Sequence, residues 1–364
     1  MDKKPEKVKA KAVEPEIIPA PPKTKLASAK PKSAVSVLIN SVLEGDETAQ
    51  LLGSDGLAIK VRGVISTQCA TIDHAIGRGG IPLGRLTILH GGEGSGKTTL
   101  ALQIVAECQR IGGMAVYIDK EYKLDPEYAA KLGVDTANLI LKQPDHLEGI
   151  FAYHETLIDK VVKYREATKQ RVPVVVVLDS MNAAITKAEF VGEWEDQHMA
   201  PQARVYSRLL PKLIPQVHKE DIALLWISQI RKKMNIQYGD DNEIAGGNAA
   251  RFYASLILDV KKVGMAKEGD EKVGSKVVVY CKKNQIAIPF KSGEIEISYG
   301  RGADRERSLL VLAEQLKIVK TSGSWVNFGD ERVGQGMLNA SEALRKDPDM
   351  AERIREAIKK ATKV

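Results

Sequence analysis

The apolar positions of the chain fall into two alternating patterns, short continuous runs and longer stretches with helical spacing. Residues 174–178 are all Val or Leu, as expected of a strand that is covered on both faces. Comparable runs predict strands at residues 85–90, 115–119, 139–141, 173–179 and 222–229, with helices between them. Alternation of this kind predicts an α/β fold in which helices cover both sides of a mostly parallel central sheet.

The pattern changes towards both ends of the chain. After Gly246-Gly247, residues 254–263, 276–283 and 293–299 predict strands that no long helix separates. From about residue 308, helical patterns around Gly323-Ser324-Trp325 indicate a small α/β C-terminal domain. Apolar residues between 33 and about 52 predict a short amphipathic N-terminal helix. We therefore expect a tail at 1–33, a helical segment at 34–60, a core at 61–300 and a C-terminal domain at 301–364.

Charge and composition limit the class of protein. Residues 1–33 hold nine Lys against four acidic residues and six of the fifteen prolines, which predicts a disordered basic tail. That segment supplies five of the seven excess positive charges, so nucleic-acid binding has to be argued from particular loops. The sequence has no apolar run long enough to span a membrane and no signal-peptide pattern, which predicts a cytoplasmic protein. Three cysteines without a C-x-x-C pair argue against disulfides and against a zinc ribbon.

A phosphate-binding loop lies between one predicted strand and the helix that follows it. The stretch fits G-x-x-x-x-G-K-[ST], and its residues are Gly91, Gly92, Glu93, Gly94, Ser95, Gly96, Lys97 and Thr98. Glycines let backbone N–H groups turn towards phosphate oxygens, Lys97 neutralises phosphate charge, and the Thr98 hydroxyl is suited to Mg²⁺. The alternative, a glycine-rich turn with a chance lysine, is disfavoured by the strand before the loop and the helix after it.

Polar residues end three of the other predicted strands. Asp179 is suited to Mg²⁺, Glu121 to orienting or deprotonating an attacking water, and Gln229 to sensing a terminal phosphate. Each of them alone is more often a helix cap or a loop contact. Together they favour a catalytic site, because ligands of open α/β sheets bind beyond the carboxyl ends of the strands.

Seven further short motifs lie along the sequence, namely Leu83-Gly84-Arg85, the run from Ile118 to Tyr128, Leu178-Asp179-Ser180, Asp196-Gln197-His198-Met199, Gln229-Ile230-Arg231, Gly246-Gly247-Asn248-Ala249 and Pro289-Phe290. They occur in the order and spacing of the bacterial RecA recombinases, and the sequence from about residue 33 to its end resembles that family. The resemblance implies an ATP-dependent DNA recombinase. Such a protein forms helical filaments on single-stranded DNA with ATP and Mg²⁺, and pairs that strand with a homologous duplex in recombination, repair and the SOS response.

The resemblance also implies roles in nucleotide binding and hydrolysis. Lys97, Thr98 and Thr99 would bind phosphate, with Thr98 and Asp179 holding Mg²⁺. Glu121 would be the catalytic glutamate, and Gln229 the residue that reports the γ-phosphate to the segment after it. Asp125 would contact the amino group of adenine and Tyr128 would stack on its ring. Without the family resemblance, the preferred interpretation of Tyr128 is a half-buried aromatic residue of the core.

Two loops, at about residues 189–202 and 231–248, resemble the DNA-binding loops of the family. The implied DNA contacts are Met199, Arg204, Arg231, Met234, Gly246, Gly247 and Asn248. An inserted Met199 would separate base triplets and leave their edges free to pair. Taken alone, Met199 is more often a core residue, and the lysines after Arg231 are more often a solvated patch.

Filament formation follows from the same resemblance. The N-terminal segment would dock on a neighbouring subunit, and Arg251, Phe252 and Lys283 would reach the neighbour's ATP. Gln285 stands where the family has a second lysine of this kind, a loss that weakens charge neutralisation in the transition state. The sequence also lacks the acidic tail common in the family, which predicts easier access of duplex DNA.

Two other functions are compatible with the same core. One is a hexameric helicase-like motor or the zinc-bearing RadA relative, against which the Met199 loop and the missing cysteine motif argue. The other is a regulatory ATPase whose filaments promote repressor self-cleavage. A repressor and loading factors are therefore candidate partners beside single- and double-stranded DNA, and association with the nucleoid is the expected location.

Overall fold

The structure is a computed structural model, and it describes residues 34–45, 61–193, 201–232, 242–268 and 270–362. The predicted basic tail lies outside these ranges, as do the second half of the predicted segment 34–60 and the predicted DNA contacts Met199 and Met234.

The strands of the described residues form one large sheet and three small ones. The strands are β1 (Val64–Ile65), β2 (Ile81–Pro82), β3 (Leu86–Gly91), β4 (Met114–Asp119), β5 (Leu139–Lys142), β6 (Val174–Asp179), β7 (Ile222–Gln229), β8 (Arg231–Lys232), β9 (Asn242–Glu243), β10 (Ala254–Glu268), β11 (Glu271–Asn284), β12 (Ser292–Ser298), β13 (Gly302–Ala303), β14 (Val319–Ser322), β15 (Trp325–Phe328) and β16 (Glu331–Gln335). The large sheet has the order β13-β12-β11-β10-β3-β7-β6-β4-β5. The neighbouring strands from β10 through β3, β7, β6 and β4 to β5 are parallel. The pairs β10–β11, β11–β12 and β12–β13 are antiparallel. This confirms the predicted α/β fold with a mostly parallel sheet.

Helices cover both faces of the large sheet, as predicted. The helices of the described residues are α1 (Ala34–Leu43), α2 (Ala70–Ile76), α3 (Lys97–Arg110), α4 (Pro126–Lys131), α5 (Leu147–Thr168), α6 (Lys187–Val191), α7 (Pro201–Lys219), α8 (Gly247–Tyr253), α9 (Arg305–Gln315), α10 (Gly336–Lys346) and α11 (Pro348–Thr362). Val175 and Val177 of β6 belong to the apolar cluster that contains α2 and α3, whereas Val174 and Val176 belong to the cluster with α5 and α7. The continuous apolar run of β6 is buried on both faces because successive side chains point to opposite sides of a strand.

The register of the parallel strands brings their polar ends to one edge. Asp119 of β4 lies opposite Asp179 of β6, and Gly91 of β3 lies opposite Gln229 of β7. The phosphate loop after β3 therefore begins beside the carboxylates and the amide that end the neighbouring strands.

The β10–β11 hairpin is longer than its apolar pattern predicts. We expected strands at 254–263 and 276–283, but the two strands stay paired out to Glu268 and Glu271. Lys261, Lys262 and Val263 are exposed, since this part of β10 extends beyond the core. Pairing of β10 with β11 maintains the extension although few of its residues, among them Ala266, are buried, so hydrophobicity gives little sign of it.

The C-terminal residues form a small α/β unit with its own apolar cluster. Strands β14, β15 and β16 form an antiparallel sheet that packs with α9, α10 and α11. Gly323 therefore lies in a turn between two strands, not between the helical patterns expected there. The unit is attached to α2, where Ser308 Oγ accepts a hydrogen bond of 3.1 Å from Thr71 N.

Helix α1 exposes its apolar side chains. It ends at Leu43, earlier than the predicted end near residue 52, and none of its described residues is buried. Val35, Leu38 and Val42 are 64%, 63% and 63% exposed. Across the ranges that the structure describes, no helix combines the length and apolar character needed to cross a membrane.

Candidate functional site

The phosphate loop has the geometry that its sequence predicts. Strand β3 ends at Gly91, and α3 begins at Lys97 after a turn in which Gly96 adopts a φ of 96°. A Cβ atom on Gly96 would meet only the movable end of the Ile297 side chain, so it is the left-handed backbone conformation that favours glycine here. Lys97 Nζ donates to the carbonyl oxygens of Gly91 and Gly92, at 3.0 and 2.7 Å. The ammonium thus folds back over the loop, where a phosphate would replace these carbonyls.

A cavity of about 340 Å³ opens beside the loop. Its lining includes Gly94 to Thr99, Tyr128 and, from the antiparallel part of the sheet, Ser275, Val277, Ile297, Ser298, Tyr299 and Gly300. Tyr128 packs against the core cluster through its ring, and its hydroxyl shares a 2.8 Å hydrogen bond with Thr99 Oγ1. Tyr128 is thus a half-buried aromatic that also lines the cavity, and its stacking on adenine stays a prediction.

Asp179 connects the phosphate loop with the neighbouring strand. Its Oδ2 accepts hydrogen bonds from Thr98 Oγ1 at 2.8 Å and from Tyr117 OH at 2.7 Å. Burial raises the pKa of Asp179, these hydrogen bonds oppose the rise, and the carboxylates of Glu121 and Asp119 add to it. Such an excess of negative charge is relieved by a nearby cation.

The oxygens at this position fit Mg²⁺. The ion takes a hydroxyl and one or two carboxylates from a protein and completes its shell with water and phosphate oxygens, a set to which Thr98 and Asp179 correspond. In the described part of the chain, no group of three His, Cys, Asp or Glu side chains could hold a metal ion.

Glu121 lies at the centre of a cluster of donors. Ser180 Oγ donates to its Oε1 at 2.6 Å, and Gln229 Nε2 donates to the same oxygen at 2.7 Å. Lys123 Nζ donates to Oε2 at 3.2 Å. Burial alone would raise the pKa of Glu121, but the bonds from Ser180, Lys123 and Gln229 outweigh it and hold the pKa below its ordinary value. The side chain is therefore an anion at neutral pH.

Gln229 joins Glu121 to the segment that leads towards the second predicted DNA loop. Its backbone N–H donates to Asn182 Oδ1 at 2.8 Å, which holds the end of β7 against the turn after β6. Two residues later, Arg231 lies in β8, which pairs with β9. The middle of this loop, residues 233–241, lies outside the described ranges.

Asp125 has a structural role in addition to its predicted contact with adenine. Its Oδ1 accepts from Glu127 N at 2.8 Å and from Tyr128 N at 3.3 Å, so it caps the start of α4. Oδ2 takes part in neither bond. The cap fixes the position of Tyr128 beside the cavity.

The predicted contacts to a neighbouring subunit lie close together. Lys283 Nζ donates to the carbonyl oxygens of Arg251 and Phe252 at the end of α8, at 2.8 and 3.0 Å. Burial lowers the pKa of Lys283, and the charge of Arg251 lowers it further. The Phe252 side chain is 75% exposed, which is unusual for an aromatic residue of a single chain.

The predicted DNA contacts that the structure describes surround the start of α8. Gly246 and Gly247 have φ angles of 84° and 64°, and a Cβ on Gly246 would lie 2.6 Å from Tyr206 of α7. Asn248 and Arg204 are both exposed. The side chain of Arg231 lies outside the described atoms.

Sequence reasoning missed three side chains of the site. Tyr117 and Ser180 bind the two acidic residues Asp179 and Glu121, and Lys123 binds Glu121. Tyr117 had a sequence signal, since a hydroxyl on a buried strand requires a partner. Ser180 and Lys123 had none, because their directions depend on turns. The three cysteines are buried and free, as expected of small apolar residues.

Comparison with known proteins gives consistent matches over most of the chain. Residues 38–304 match the RecA N-terminal domain family, and residues 307–363 match the RecA C-terminal domain family. Protein RecA of Syntrophobacter fumaroxidans is 41% identical over 82% of this chain and 84% of its own length. Protein RecA 2 of Myxococcus xanthus is 42% identical over 85% of this chain and 84% of its own length. A crystal structure of the RadB recombinase aligns with 66% of this chain and 98% of its own, at 23% identity and a TM-score of 0.49.

Proposed function

This chain belongs to the RecA family of ATP-dependent DNA recombinases, and we propose that its ATPase site works through the residues gathered at the carboxyl ends of β3, β4, β6 and β7. The protein is a DNA-dependent ATPase that uses ATP, binds DNA and forms filaments, as members of this family do. The observation that carries the site assignment is the hydrogen bond between Gln229 and Glu121 at 2.7 Å, beside the phosphate loop. It connects the proposed catalytic carboxylate directly with the strand that leads to the predicted DNA-binding segment.

ATP binding is assigned to the phosphate loop and the cavity next to it. Backbone N–H groups of Gly91 to Gly96 and the ammonium of Lys97 receive the phosphates, and Thr98 and Thr99 begin the helix that points at them. Tyr128 stacks on adenine, and Asp125 contacts its amino group. Thr98 and Asp179 would hold Mg²⁺, which would neutralise phosphate charge when bound.

Hydrolysis is assigned to Glu121. The oxygen of a water molecule bonds to the γ-phosphorus while the bond from that phosphorus to the β–γ bridging oxygen breaks, which gives ADP and phosphate. Glu121 accepts the proton that the water releases, and its anionic state at neutral pH is the form required. Ser180 and Gln229 both donate to Oε1, so the carboxylate has a fixed orientation before substrate arrives.

DNA binding is assigned to the two loops that flank this end of the sheet. Met199 and Met234 contact bases, while Arg204, Arg231, Gly246, Gly247 and Asn248 contact the phosphate backbone. The exposure of Arg204 and Asn248 is consistent with these roles. If the nucleotide displaces Gln229, the displacement would be transmitted to β8, which begins two residues later.

Assembly is assigned to α1 and to the surface around Phe252. The three most exposed apolar residues of α1, Val35, Leu38 and Val42, are separated by three and four positions, which places them on one side of the helix. Docking of this face on a second copy would bury them. Arg251, Phe252 and Lys283 would then reach the nucleotide of the neighbour.

Further partners follow from the family alone. We propose that filaments of this protein promote self-cleavage of a repressor in the SOS response and that loading factors deliver it to single-stranded DNA. Its proposed place is the nucleoid in the cytoplasm.

The test of the proposed function is one set of reactions with ATP and Mg²⁺. Hydrolysis is measured with and without single-stranded DNA, strand exchange with a homologous duplex is followed on gels, and the same mixtures are imaged by electron microscopy. We expect DNA-stimulated hydrolysis, joint molecules and helical filaments, all of which Lys97→Ala abolishes. DNA-stimulated hydrolysis without filaments would favour a helicase-like motor, and filaments without joint molecules would favour a regulatory ATPase.

A further inference from the structure

Lys123 is a cation of the ATPase site that the phosphate loop does not supply. Its Nζ lies 3.2 Å from Glu121 Oε2, and its side chain is 75% exposed, whereas that of Glu121 is 18% exposed. The partner carboxylate is therefore largely enclosed, and the lysine reaches it from the solvent side.

The turn after β4 sets this arrangement. Asp119 Oδ1 accepts from Glu121 N at 3.0 Å, and Asp119 Oδ2 accepts from Leu124 N at 3.1 Å, so one carboxylate fixes both ends of the turn. Between them, Tyr122 adopts a φ of 55° and its exposed ring lies 5.7 Å from Lys120 Nζ. The conformation that carries Lys123 is thus held by buried bonds and not by its ion pair.

The surroundings of Lys123 are anionic. Its strongest partner is Glu121, and the carboxylates of Glu93 in the phosphate loop and of Asp179 on β6 also raise its pKa. The same three carboxylates also act on Lys97 of the phosphate loop and oppose the lowering of its pKa by burial. Lys123 and Lys97 are therefore both influenced by the charges at the carboxyl ends of these strands.

The two oxygens of Glu121 have different partners. Oε1 accepts hydrogen bonds from Ser180 and Gln229, whereas Oε2 accepts one only from Lys123 among the described residues. A carboxylate oxygen that carries an ammonium is a poorer proton acceptor than one that faces water. An exposed ion pair of this kind is weak, so a terminal phosphate with more negative charge can take the ammonium from it.

We propose that Lys123 is a positioning residue of the ATPase reaction that holds Glu121 Oε2 in the absence of ATP and transfers to the γ-phosphate when ATP binds, which leaves Oε2 to the attacking water. Hydrolytic competence then depends on the presence of the third phosphate. ADP lacks the γ-phosphate, so the ion pair between Lys123 and Glu121 stays in place when ADP binds. This proposal rests on the assignment of Glu121 and the phosphate loop made above.

The first experiment compares nucleotide affinities, which need neither hydrolysis nor strand exchange. Fluorescent ADP and a fluorescent non-hydrolysable ATP analogue are titrated into wild type, Lys123→Ala and Lys123→Arg with Mg²⁺ present. We expect Lys123→Ala to weaken binding of the ATP analogue about tenfold, to leave ADP binding unchanged, and Lys123→Arg to restore most of the difference. Lys131→Ala, which removes an exposed lysine from the end of α4, serves as the control and should bind both nucleotides like wild type.

The second experiment measures hydrolysis by the same variants. Loss of a cation from the transition state should lower the kcat of Lys123→Ala by about 10- to 100-fold, and Lys123→Arg should recover most of it. A purely structural lysine would affect ADP and the ATP analogue alike, and a surface ion pair would affect neither. Either of these results overturns the proposal. Wild-type protein without strand exchange would contradict the recombinase function. The inference on Lys123 would still hold if Lys123→Ala lost the preference for the ATP analogue over ADP.

Discussion

At the residue scale, Glu121 is positioned by three side chains, two of which come from distant places in the chain. Ser180 follows β6, Gln229 ends β7, and Lys123 lies in the same turn as Glu121. Gln229 has the additional property that its strand continues into the segment assigned to DNA. A substitution at Gln229 can therefore distinguish the basal rate of ATP hydrolysis from the stimulation of that rate by DNA.

We predict that Gln229→Leu retains nucleotide binding but loses most of the stimulation of hydrolysis by DNA. Leucine keeps the approximate volume of the side chain and removes the donor to Glu121 Oε1, so an event at the DNA segment no longer reaches the carboxylate. Stimulation is measured as the ratio of kcat with and without single-stranded DNA, beside fluorescent ATP-analogue binding. A variant that binds DNA and keeps the full ratio would show that the signal takes another route.

The sequence predicted which residues meet at this site but not how they bond. Asp179, Glu121 and Gln229 end strands, and strand ends of a parallel sheet meet at one edge whatever the details of their turns. The direction of Lys123 depends on the turn that Asp119 holds, and no periodic pattern encodes such a turn. Tyr117 was predictable as a buried hydroxyl in need of a partner, whereas the identity of that partner required the register of β4 and β6.

At the element scale, α8 depends on its close contact with α7. Gly246 precedes α8 at a φ of 84°, and a Cβ there would lie 2.6 Å from Tyr206 Cδ2. Tyr206 is fully buried and packs on Trp226 with ring centroids 5.8 Å apart, so it has no room to move. The glycine lets the end of the second predicted DNA loop approach the core.

We predict that Gly246→Ala destabilises the fold by about 2–4 kcal/mol, from the left-handed backbone and the displaced ring together. The free energy of unfolding is measured by urea titration. Gly264→Ala is the matched control, because Gly264 lies in the exposed hairpin with no positive φ and no atom within 4 Å of its added Cβ. Equal stability of the two variants would contradict the packing described for α8.

Elements that lie outside a core were the least predictable. Apolar runs located β3, β4, β6 and β7 to within a residue or two, since those strands are buried on both faces. The outer parts of β10 and β11 are held by hydrogen bonds to each other, and the strands of the C-terminal sheet are short and half-exposed. Hydrophobic periodicity is weak in such strands because burial does not impose it.

At the scale of the whole molecule, the apolar face of α1 indicates that one chain is not the complete functional unit. Val35, Leu38 and Val42 are each more than three-fifths exposed. A helix of ten residues is also too short to be stable in water on its own, so a partner surface would both bury and stabilise it. We propose that this partner is a second copy of the chain in the filament.

We predict that Leu38→Glu prevents filament formation and strand exchange while the folded core and its nucleotide binding persist. A charge at the centre of the apolar face cannot be buried against a neighbour without a large cost. Assembly on single-stranded DNA is followed by light scattering and electron microscopy. Asn40→Glu is the control, since Asn40 is exposed on the opposite side of α1, and it should assemble like wild type. Filaments formed equally by both variants would exclude α1 from the interface.

The most direct test of the account as a whole is the behaviour of Glu121→Gln in strand exchange with ATP. Glutamine can still accept hydrogen bonds from Ser180 and Gln229 through its carbonyl oxygen but cannot take a proton from water. The account predicts that hydrolysis falls by about 100-fold or more, while filaments and joint molecules form as with wild type, because ATP binding and not its cleavage sets the grip on DNA. Hydrolysis at the wild-type rate would remove Glu121 from the reaction, and folded, ATP-bound filaments without joint molecules would contradict the claim that ATP binding suffices for pairing.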